Sequence, residues 1–561
     1  MIRAYIIYLS LMASLWSCKK DSEDPAVSGS GEQVYYNGQI YTLNPNQVWA
    51  DAMLVRDGKI VVIGEETEVR SQASAQAQII DLQSKMVMPG IHDVHLHPME
   101  AASTNFQFSL SANISDPENY KAEVQQALSN HANANWLLGW GFDIYTLLDA
   151  NRPPIEILDD ISTSKPIAIM ELSSHSIWVN SKALELAGID EQSANPVGGV
   201  IMKDEDGFPN GILMDNAGNL VVDLAIASIP NAEQNDYDGL VNYALPELAK
   251  NGITSICDAR TYWKRNHHLT WQRVEDEGLL TARVNLGLWV YPNEDDMTQL
   301  STLQSLYSNE ANSFLKINQI KLYADGIIIN TTAAMQSNYL IDLFQLPTNN
   351  GINYVSENRI IQYIASLEPI GFDFHIHAIG NRGVHEALNA IEQGSNGNGR
   401  HRLTHVEYVS PSDIPRFSQL NVTADAQVVG HFAQPGHWHN NDSLVHSNLN
   451  NAIIPIKSLQ QASARITLSS DWDVSSLNPF IGIQNALTRV PQELTLTQAL
   501  KAYTLNGAYL MRQEQVVGSL EPGKEADFIV LSQNLFNIPV QQIAQTEVLK
   551  TYLSGELIYQ R

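Results

Sequence analysis

The chain of 561 residues is acidic, because 33 Lys and Arg stand against 61 Asp and Glu and give a formal net charge of −28 at pH 7. This charge repels phosphate backbones, which excludes nucleic acid as an expected partner. The length exceeds what one hydrophobic core usually supports, so we expect one large domain together with a smaller one.

The N-terminus has the pattern of a secretory signal. Arg3 precedes an apolar run that is too short to cross a bilayer comfortably but fits the apolar core of a signal peptide. The following sequence Leu15-Trp16-Ser17-Cys18 resembles a bacterial lipobox, in which cleavage precedes a lipidated cysteine. We expect residues 1–17 to be removed, Cys18 to carry a lipid, and the polar residues 18–33 to form a tether.

These features predict a lipoprotein of the bacterial cell envelope, anchored to a membrane, most simply the outer membrane, through its N-terminal lipid. An ordinary secretory signal with an incidental cysteine is the alternative. After cleavage only Cys257 remains unlipidated, so no intramolecular disulfide can hold the mature fold. Since Cys257 lies in a short apolar run, we expect it to be a buried, inert thiol.

Both ends of the mature chain show short strand patterns. Asn37-Gly38 and Asp57-Gly58 mark tight turns beside apolar runs near the N-terminus. Further apolar runs separated by loops follow near the C-terminus. We expect residues 34–88 and 511–561 to complete one small β-domain.

Between residues 89 and 510, apolar strand candidates alternate with helix-like stretches, which is typical of repeated βα units. A strand that ends at His97 and seven further candidates make eight, the number of a (β/α)₈ barrel. The seven are Pro166–Glu171, Gly252–Asp258, Arg283–Tyr291, Gln319–Asp325, Phe372–His377, Arg402–Glu407 and Arg465–Asp471. Residues from about 100 to 250 are more than one βα unit needs, so we expect an insertion there.

The first barrel strand ends in His95-Leu96-His97. Residues i and i+2 of a strand point to the same face, so both imidazoles can bind one cation. Strand parity turns His92 away from this face. An HxH pair alone is a weak signal, and it gains weight only from ligands further along the chain.

The further candidate ligands fall at the C-terminal ends of expected strands, where barrel enzymes assemble their sites. Imidazole and carboxylate groups suit zinc, with manganese or iron as alternatives, and a bound metal lowers the pKa of water towards ~7. His375 shares a face with His377 and is either its hydrogen-bond partner or a core histidine. The further candidate ligands are Lys321, His377, His405 and Asp471.

Taken together, these motifs resemble the amidohydrolase superfamily, and within it amidohydrolase family 3, which includes N-substituted formamide deformylases. The resemblance runs over nearly the whole mature chain. Its main blocks are Met88–Pro98, Trp136–Asp143, His175–Leu184, Lys321–Gly326, His377–Gly380, His401–Glu407, Ser470–Trp472 and Gly518–Asp527.

The resemblance implies an α/β fold in which a metal-bearing (β/α)₈ TIM barrel carries a small β-sandwich built from both chain ends. Asp471 would be the general base that activates water and the acid that protonates the departing amine. A mononuclear site that uses a subset of the ligands stays open. The ligands implied are His95, His97 and Asp471 for one ion, His377 and His405 for a second, and Lys321 as a carboxylated bridge.

The leading hypothesis is therefore a metal-dependent hydrolase that cleaves a C–N bond, a linear amide, of a small molecule. A deaminase or a cyclic-amide hydrolase would use the same barrel and the same ligands. A lipid-tethered binding protein without catalysis is the third alternative, and the intact ligand set argues against it. The sequence leaves a homo-oligomer open.

Other histidines receive separate expectations. His175 is a candidate for substrate contact, because it lies in a block typical of the family. His267 and His268 occur in a polar helix-like stretch and are expected at the surface. A Gly- and Pro-broken loop that contains His431, His437 and His439 is expected to be exposed or to contact substrate.

Overall fold

The computed structural model describes residues 31–111, 114–342, 346, 348–430, 444–446 and 453–561. The expected signal peptide, Cys18 and most of the expected tether lie outside the described residues, as do His431, His437 and His439. Within the described ranges, no helix is long and apolar enough to cross a membrane.

Strands from both ends of the chain form two packed sheets. Those strands are β1 (Glu32–Tyr36), β2 (Gln39–Tyr41), β3 (Trp49–Ala50), β4 (Ala52–Arg56), β5 (Lys59–Gly64), β6 (Gln78–Asp81), β7 (Met86–Pro89), β22 (Phe528–Leu531), β23 (Val548–Leu553) and β24 (Glu556–Gln560). One sheet has the order β5-β4-β1-β6 and the other β24-β23-β22-β7-β2-β3. The rings of Tyr35 and Phe528 meet between them at a centroid distance of 5.0 Å. The antiparallel pairing of β7 with β22 joins the two chain ends.

Eight parallel strands form the central barrel, in the order in which they occur in the chain. They are β8 (Ile91–Leu96), β15 (Ile253–Thr261), β16 (Arg283–Trp289), β17 (Leu315–Tyr323), β18 (Asp373–Ala378), β19 (Arg402–His405), β20 (Thr423–Ala426) and β21 (Ile466–Leu468). Their apolar runs are buried on both faces, as parallel strands require. The backbone N–H of Asp471 donates to the carbonyl of His95 at 2.8 Å, which brings the last strand to the first. The expected α/β barrel is confirmed.

Helices surround the barrel and cover its strands. In α12 the buried residues Ile360, Ile364 and Leu367 recur at helical spacing and face the core. The helices are α1 (Glu66–Gln72), α2 (Pro98–Ala102), α3 (Tyr120–Asn130), α4 (Ile144–Leu148), α5 (Pro154–Asp159), α6 (Ser181–Ala187), α7 (Asn216–Ala227), α8 (Ala232–Gly239), α9 (Leu245–Lys250), α10 (His267–Asp276), α11 (Asp296–Leu306), α12 (Glu357–Leu367), α13 (Asn381–Gly394), α14 (Ile414–Gln419), α15 (Ile456–Gln461), α16 (Pro479–Thr488), α17 (Leu496–Ala502) and α18 (Leu505–Leu510).

A fourth sheet lies in the chain between the first two barrel strands, β8 and β15. Its order is β13-β14-β12-β11-β10-β9, and four of its five pairings join strands that are neighbours in the chain. We call residues 108–215, which contain this sheet, the inserted sheet region. Its strands are β9 (Phe108–Ser109), β10 (Leu137–Phe142), β11 (Ile167–Glu171), β12 (Ser176–Val179), β13 (Gly199–Lys203) and β14 (Pro209–Asp215).

Two expectations about individual segments are wrong. Pro166–Glu171, expected as a barrel strand, contains β11 and belongs to the inserted sheet region, where it is as fully buried as a barrel strand. Its place among the eight barrel strands is taken by β20, the seventh in order, whose short sequence is interrupted by Asp425. His267 and His268 are buried on the inner face of α10, not exposed, while Cys257 is buried as expected.

Candidate metal centre

The barrel places His95, His97 and Asp471 around one point, and we call these three residues the first ligand group. His95 lies near the end of β8, His97 directly follows it, and Asp471 follows β21. Asp471 Oδ1 lies 3.0 Å from His95 Nε2 and 3.1 Å from His97 Nε2. All three side chains are buried. Three convergent donor atoms of this kind are an arrangement that can hold a divalent ion.

The protonation states of the first ligand group also suit a cation. Burial lowers the pKa of His95 and of His97, so both imidazoles keep a lone pair. Burial alone would raise the pKa of Asp471, but the adjacent His95 and His97 hold it well below its usual value. Neutral imidazoles and an ionised carboxylate are the forms that bind metal, so these residues fit a divalent ion.

Lys321, His377 and His405 form a second ligand group on the adjacent strands β17, β18 and β19. His377 Nε2 donates to the carbonyl of Gly326 at 3.0 Å, which leaves His377 Nδ1 buried without a hydrogen-bond partner. The ring centroids of His377 and His405 lie 4.4 Å apart. A histidine that donates one ring N–H to a carbonyl and keeps the other nitrogen free has the form of a metal ligand.

Lys321 is the one cationic side chain of the second ligand group. Its side-chain nitrogen is buried and has no hydrogen-bond partner. Burial lowers its pKa well below the usual range, although the Asp471 carboxylate opposes this. A buried neutral amine is a nucleophile, and it is the form of lysine that can react with carbon dioxide.

His375 supports the first ligand group, although its strand position is also paired with that of Lys321. Its Nε2 lies 2.7 Å from His95 Nδ1, and its Nδ1 accepts a hydrogen bond from Arg402. Thr404 Oγ1 also lies 3.1 Å from His95 Nδ1. The hydrogen-bond partner of His375 is therefore His95, on the far side of the barrel interior, and His375 orients that ring.

Asp425 on β20 is a site residue that the sequence reasoning missed. It accepts hydrogen bonds from Thr404 at 2.7 Å and from Ser469 at 2.9 Å. With His95 and His375 it forms the second set of side chains whose donor atoms converge closely enough for an ion, within the part of the chain that the structure describes. A charged residue between two alanines, in a short run that ends in two valines, is the sequence signal that could have found it.

The buried Arg260 and the half-buried Glu100 form an ion pair beside His97, and neither was predicted as a site residue. Arg260 Nη2 lies 2.9 Å from Glu100 Oε2, and Arg260 Nη1 donates to the Tyr323 hydroxyl at 2.9 Å. The Glu100 carboxylate is 3.5 Å from His97 Nδ1. The pair positions Tyr323, whose ring stacks on His377 at 4.2 Å, so it links the two ligand groups.

The backbone is strained at several of these residues. His405, Val406 and Asp471 have φ values of 74°, 42° and 54°. Residues with side chains rarely adopt this region, and each such conformation costs on the order of 1–3 kcal/mol. Strain of this kind clusters at functional sites, where packing holds a side chain in one direction.

A cavity of about 560 Å³ opens between the barrel mouth and the inserted sheet region. Barrel-side residues Glu100, Trp472 and Asp473 line it together with Trp140 and Ser174 of the inserted sheet region. Trp472 directly follows Asp471, and its carbonyl accepts the backbone N–H of His97 at 2.5 Å. The cavity therefore lies next to the first ligand group and has the volume and aromatic lining of a small-molecule site.

His175 lies between β11 and β12 and faces the second ligand group. Its ring centroid is 5.6 Å from that of His377 and 5.8 Å from that of Tyr323. Its Nδ1 lies 2.7 Å from Asp215 Oδ1. The structure thus brings together His95, His97, His377, His405, Asp471, Lys321 and His175 at the barrel mouth.

Comparison with known proteins finds a family model and relatives that match most of the chain. A model of the amidohydrolase family matches residues 78–559. The chain is 26% identical to protein LONG AFTER FAR-RED 3 of Arabidopsis thaliana over 99% of this chain and 96% of the relative. It is 25% identical to the N-substituted formamide deformylase of Arthrobacter pascens over 94% of this chain and 98% of the relative.

The fold has a clear counterpart among solved structures. An uncharacterized metal-dependent hydrolase from Pyrococcus horikoshii OT3 aligns with a TM-score of 0.72 and 23% identity. The alignment covers 91% of this chain and 99% of that chain. This likeness supports the barrel architecture.

Proposed function

The chain belongs to the amidohydrolase family and is a hydrolase of carbon–nitrogen bonds, and we propose that its substrate is a linear amide of a small molecule. The observation that carries the proposal is the convergence of His95, His97 and Asp471 beside the cavity at the barrel mouth. The relative named for the deformylation of N-substituted formamides supports a linear amide over a ring.

We assign the metal to the two ligand groups. His95, His97 and Asp471 would hold one ion, and His377 and His405 would hold a second, with zinc expected and manganese or iron as alternatives. A bound divalent ion polarises the substrate carbonyl and lowers the pKa of water towards ~7.

Asp471 is proposed as the proton carrier of the reaction. Its carboxylate is ionised and lies at the barrel mouth, so it can accept a proton from the attacking water. The water oxygen bonds to the carbonyl carbon and the C–N bond breaks. Asp471 then returns the proton to the departing nitrogen, which leaves as an amine.

Lys321 is proposed to be carboxylated. The buried neutral amine would bond to carbon dioxide and release a proton, which gives a carbamate anion. This replaces a buried amine without a hydrogen-bond partner by an oxygen ligand that can bridge the two ions. The bridge would supply the negative charge that the second ligand group lacks.

We also propose that the enzyme is a lipoprotein of the bacterial outer membrane, anchored through Cys18. The support is the sequence of the N-terminal residues alone. Globomycin treatment of cells that produce the full chain tests the anchor, because it should accumulate the uncleaved form. Normal processing under globomycin would argue for an ordinary secretory signal.

The function is tested on protein that begins after Cys18 and is purified without chelator. Elemental mass spectrometry gives the metal content. Release of ammonia from primary amides, and of amine from secondary and tertiary linear amides, gives the activity. We expect bound metal and turnover of linear amides. Turnover confined to cyclic amides or aminated heterocycles would favour the cyclic-amide hydrolase or the deaminase. Failure to bind metal after reconstitution would favour the binding protein.

A further inference from the structure

His175 belongs to the inserted sheet region but lies at the barrel mouth. It is nearly buried, with 9% of its surface exposed, and it contacts the rings of Tyr323 and His377. The neighbouring Ser174 lines the cavity at the barrel mouth. Its Nδ1 is already paired with Asp215, and its neighbour in the chain lines the cavity. This position fits a group that meets the substrate.

Asp215 fixes the orientation of the His175 ring. Asp215 Oδ1 lies 2.7 Å from His175 Nδ1, and the backbone N–H of Asp215 donates to the His175 carbonyl at 2.6 Å. Asp215 is buried and has φ 54° and ψ −125°, a conformation that residues with side chains rarely adopt. The backbone is thus held in an unfavourable conformation that keeps the carboxylate against the imidazole.

This contact decides which nitrogen of His175 is free. A carboxylate oxygen accepts hydrogen bonds, so His175 Nδ1 donates in the contact with Asp215 Oδ1. With the ring hydrogen held on Nδ1 by this contact, Nε2 is the nitrogen left to accept a hydrogen bond. Among the described residues, no side chain or backbone group hydrogen-bonds to this nitrogen. His175 Nε2 is therefore a fixed acceptor beside the second ligand group.

We propose that His175 Nε2 accepts the N–H of the scissile amide, and that the enzyme consequently selects amides that retain an N–H. The inference rests on the proposed amide hydrolysis. The N–H is the only hydrogen-bond donor of an amide group, whereas its carbonyl oxygen offers nothing to a lone pair. A tertiary amide would leave His175 Nε2 without a partner in a nearly buried site, and such sites discriminate against substrates that lack the donor.

The test compares the best secondary amide from the activity panel with its N-methyl tertiary analogue. We expect the wild-type enzyme to prefer the secondary amide by about 10–100-fold in kcat/KM. His175→Phe keeps a ring against Tyr323 but removes both nitrogens, and it should reduce this preference at least tenfold through loss of the secondary-amide rate. The tertiary-amide rate should change by less than about threefold.

Asp215→Asn tests the fixed acceptor separately. The asparagine amide can donate to His175 Nδ1 and move the ring hydrogen to Nε2, which would then oppose the substrate N–H. We expect a selective loss of the secondary-amide rate here as well. The matched control is His385→Phe, because His385 also contacts an aspartate, Asp413, at 3.0 Å but lies on α13. This control should leave the preference unchanged.

The outcomes separate this inference from the proposed function. Metal content by elemental mass spectrometry should be unchanged in His175→Phe, and a loss of metal would make His175 a ligand and overturn the inference. An unchanged amide preference in His175→Phe would overturn it while leaving amide hydrolysis intact. Absence of any amide hydrolysis in the metal-loaded wild type would overturn the proposed function and the inference with it.

Discussion

The two ligand groups at the barrel mouth differ in how complete they are. In the first, the Asp471 carboxylate already contacts the nitrogens of His95 and His97. In the second, His377 uses one ring nitrogen on the Gly326 carbonyl, and the amine of Lys321 has no hydrogen-bond partner. The first group can therefore accept a cation as it stands, whereas the second lacks an anionic ligand.

The difference has a structural origin. The first group joins β8 to the loop after β21, and hydrogen bonds across this junction fix its geometry. The second group is spread along three neighbouring parallel strands, β17, β18 and β19, which each carry one of its side chains. We infer that the first group sets metal affinity, and that the second depends on carboxylation of Lys321.

The largest expected effect comes from His97→Ala, which removes a ligand from the first group. Metal content should fall at this group and turnover should drop by at least about 10³-fold, since metal polarisation of a carbonyl contributes several kcal/mol. His92→Ala is the matched control, because His92 is a buried residue of the same strand and lies on its other face. If elemental analysis found the metal retained in His97→Ala, the first ligand group would not be the one that sets metal affinity.

Asp471→Asn separates proton transfer from metal binding. The amide keeps an oxygen ligand but cannot carry the proton, so kcat should fall by about 10²–10⁴-fold while most metal remains. Steady-state kinetics and elemental analysis on the same preparation measure both quantities. Turnover within a factor of about three of the wild type would show that another group is the base.

Lys321→Ala probes the second ligand group. If the carbamate bridges two ions, metal content should fall from two ions to one per chain and activity by about 10–100-fold. Lys316→Ala is the control on the same strand β17, and it should leave both values unchanged. A single ion per wild-type chain that is unaffected by Lys321→Ala would instead support a mononuclear site.

Local patterns predicted much of this site. The i, i+2 spacing of His95 and His97 placed both rings on one strand face, and the position of Asp471 after an apolar run placed it at the barrel mouth. These inferences needed only strand parity and the rule that barrel sites form at strand C-termini. The prediction of a barrel strand at Pro166–Glu171 was wrong. This apolar run forms a central strand of the inserted sheet region, and such a strand is as fully buried as a barrel strand.

The contacts that the sequence did not predict join residues far apart in the chain. The contact of His375 with His95 and that of Asp215 with His175 depend on which elements become neighbours in space. No spacing rule connects such pairs. Asp425 was missed for a different reason. The sequence of β20 contains polar residues and lacks the apolar pattern of a buried strand, although the strand is fully buried.

The smallest expected effect concerns Asp325, which supports the second group without being a ligand. Its carboxylate accepts backbone N–H groups from Ala334, Ile379 and Gly380 at 2.7 to 3.0 Å. Asp325→Asn should leave at least one of these buried donors unpaired and lower the free energy of unfolding by about 1–3 kcal/mol. Urea unfolding followed by circular dichroism measures this change.

Because the two ligand groups differ in how firmly they are held, Asp325→Asn should also affect metal binding at one group more than at the other. Ile379 and Gly380 directly follow the strand that carries His377, so loosening them should weaken metal binding at the second group and spare the first. Asp116→Asn is the control, because Asp116 caps an exposed helical turn where asparagine caps equally well. Equal loss of metal from both groups in Asp325→Asn would mean that the two groups are one rigid unit, since a defect behind His377 would then have reached His95 and His97.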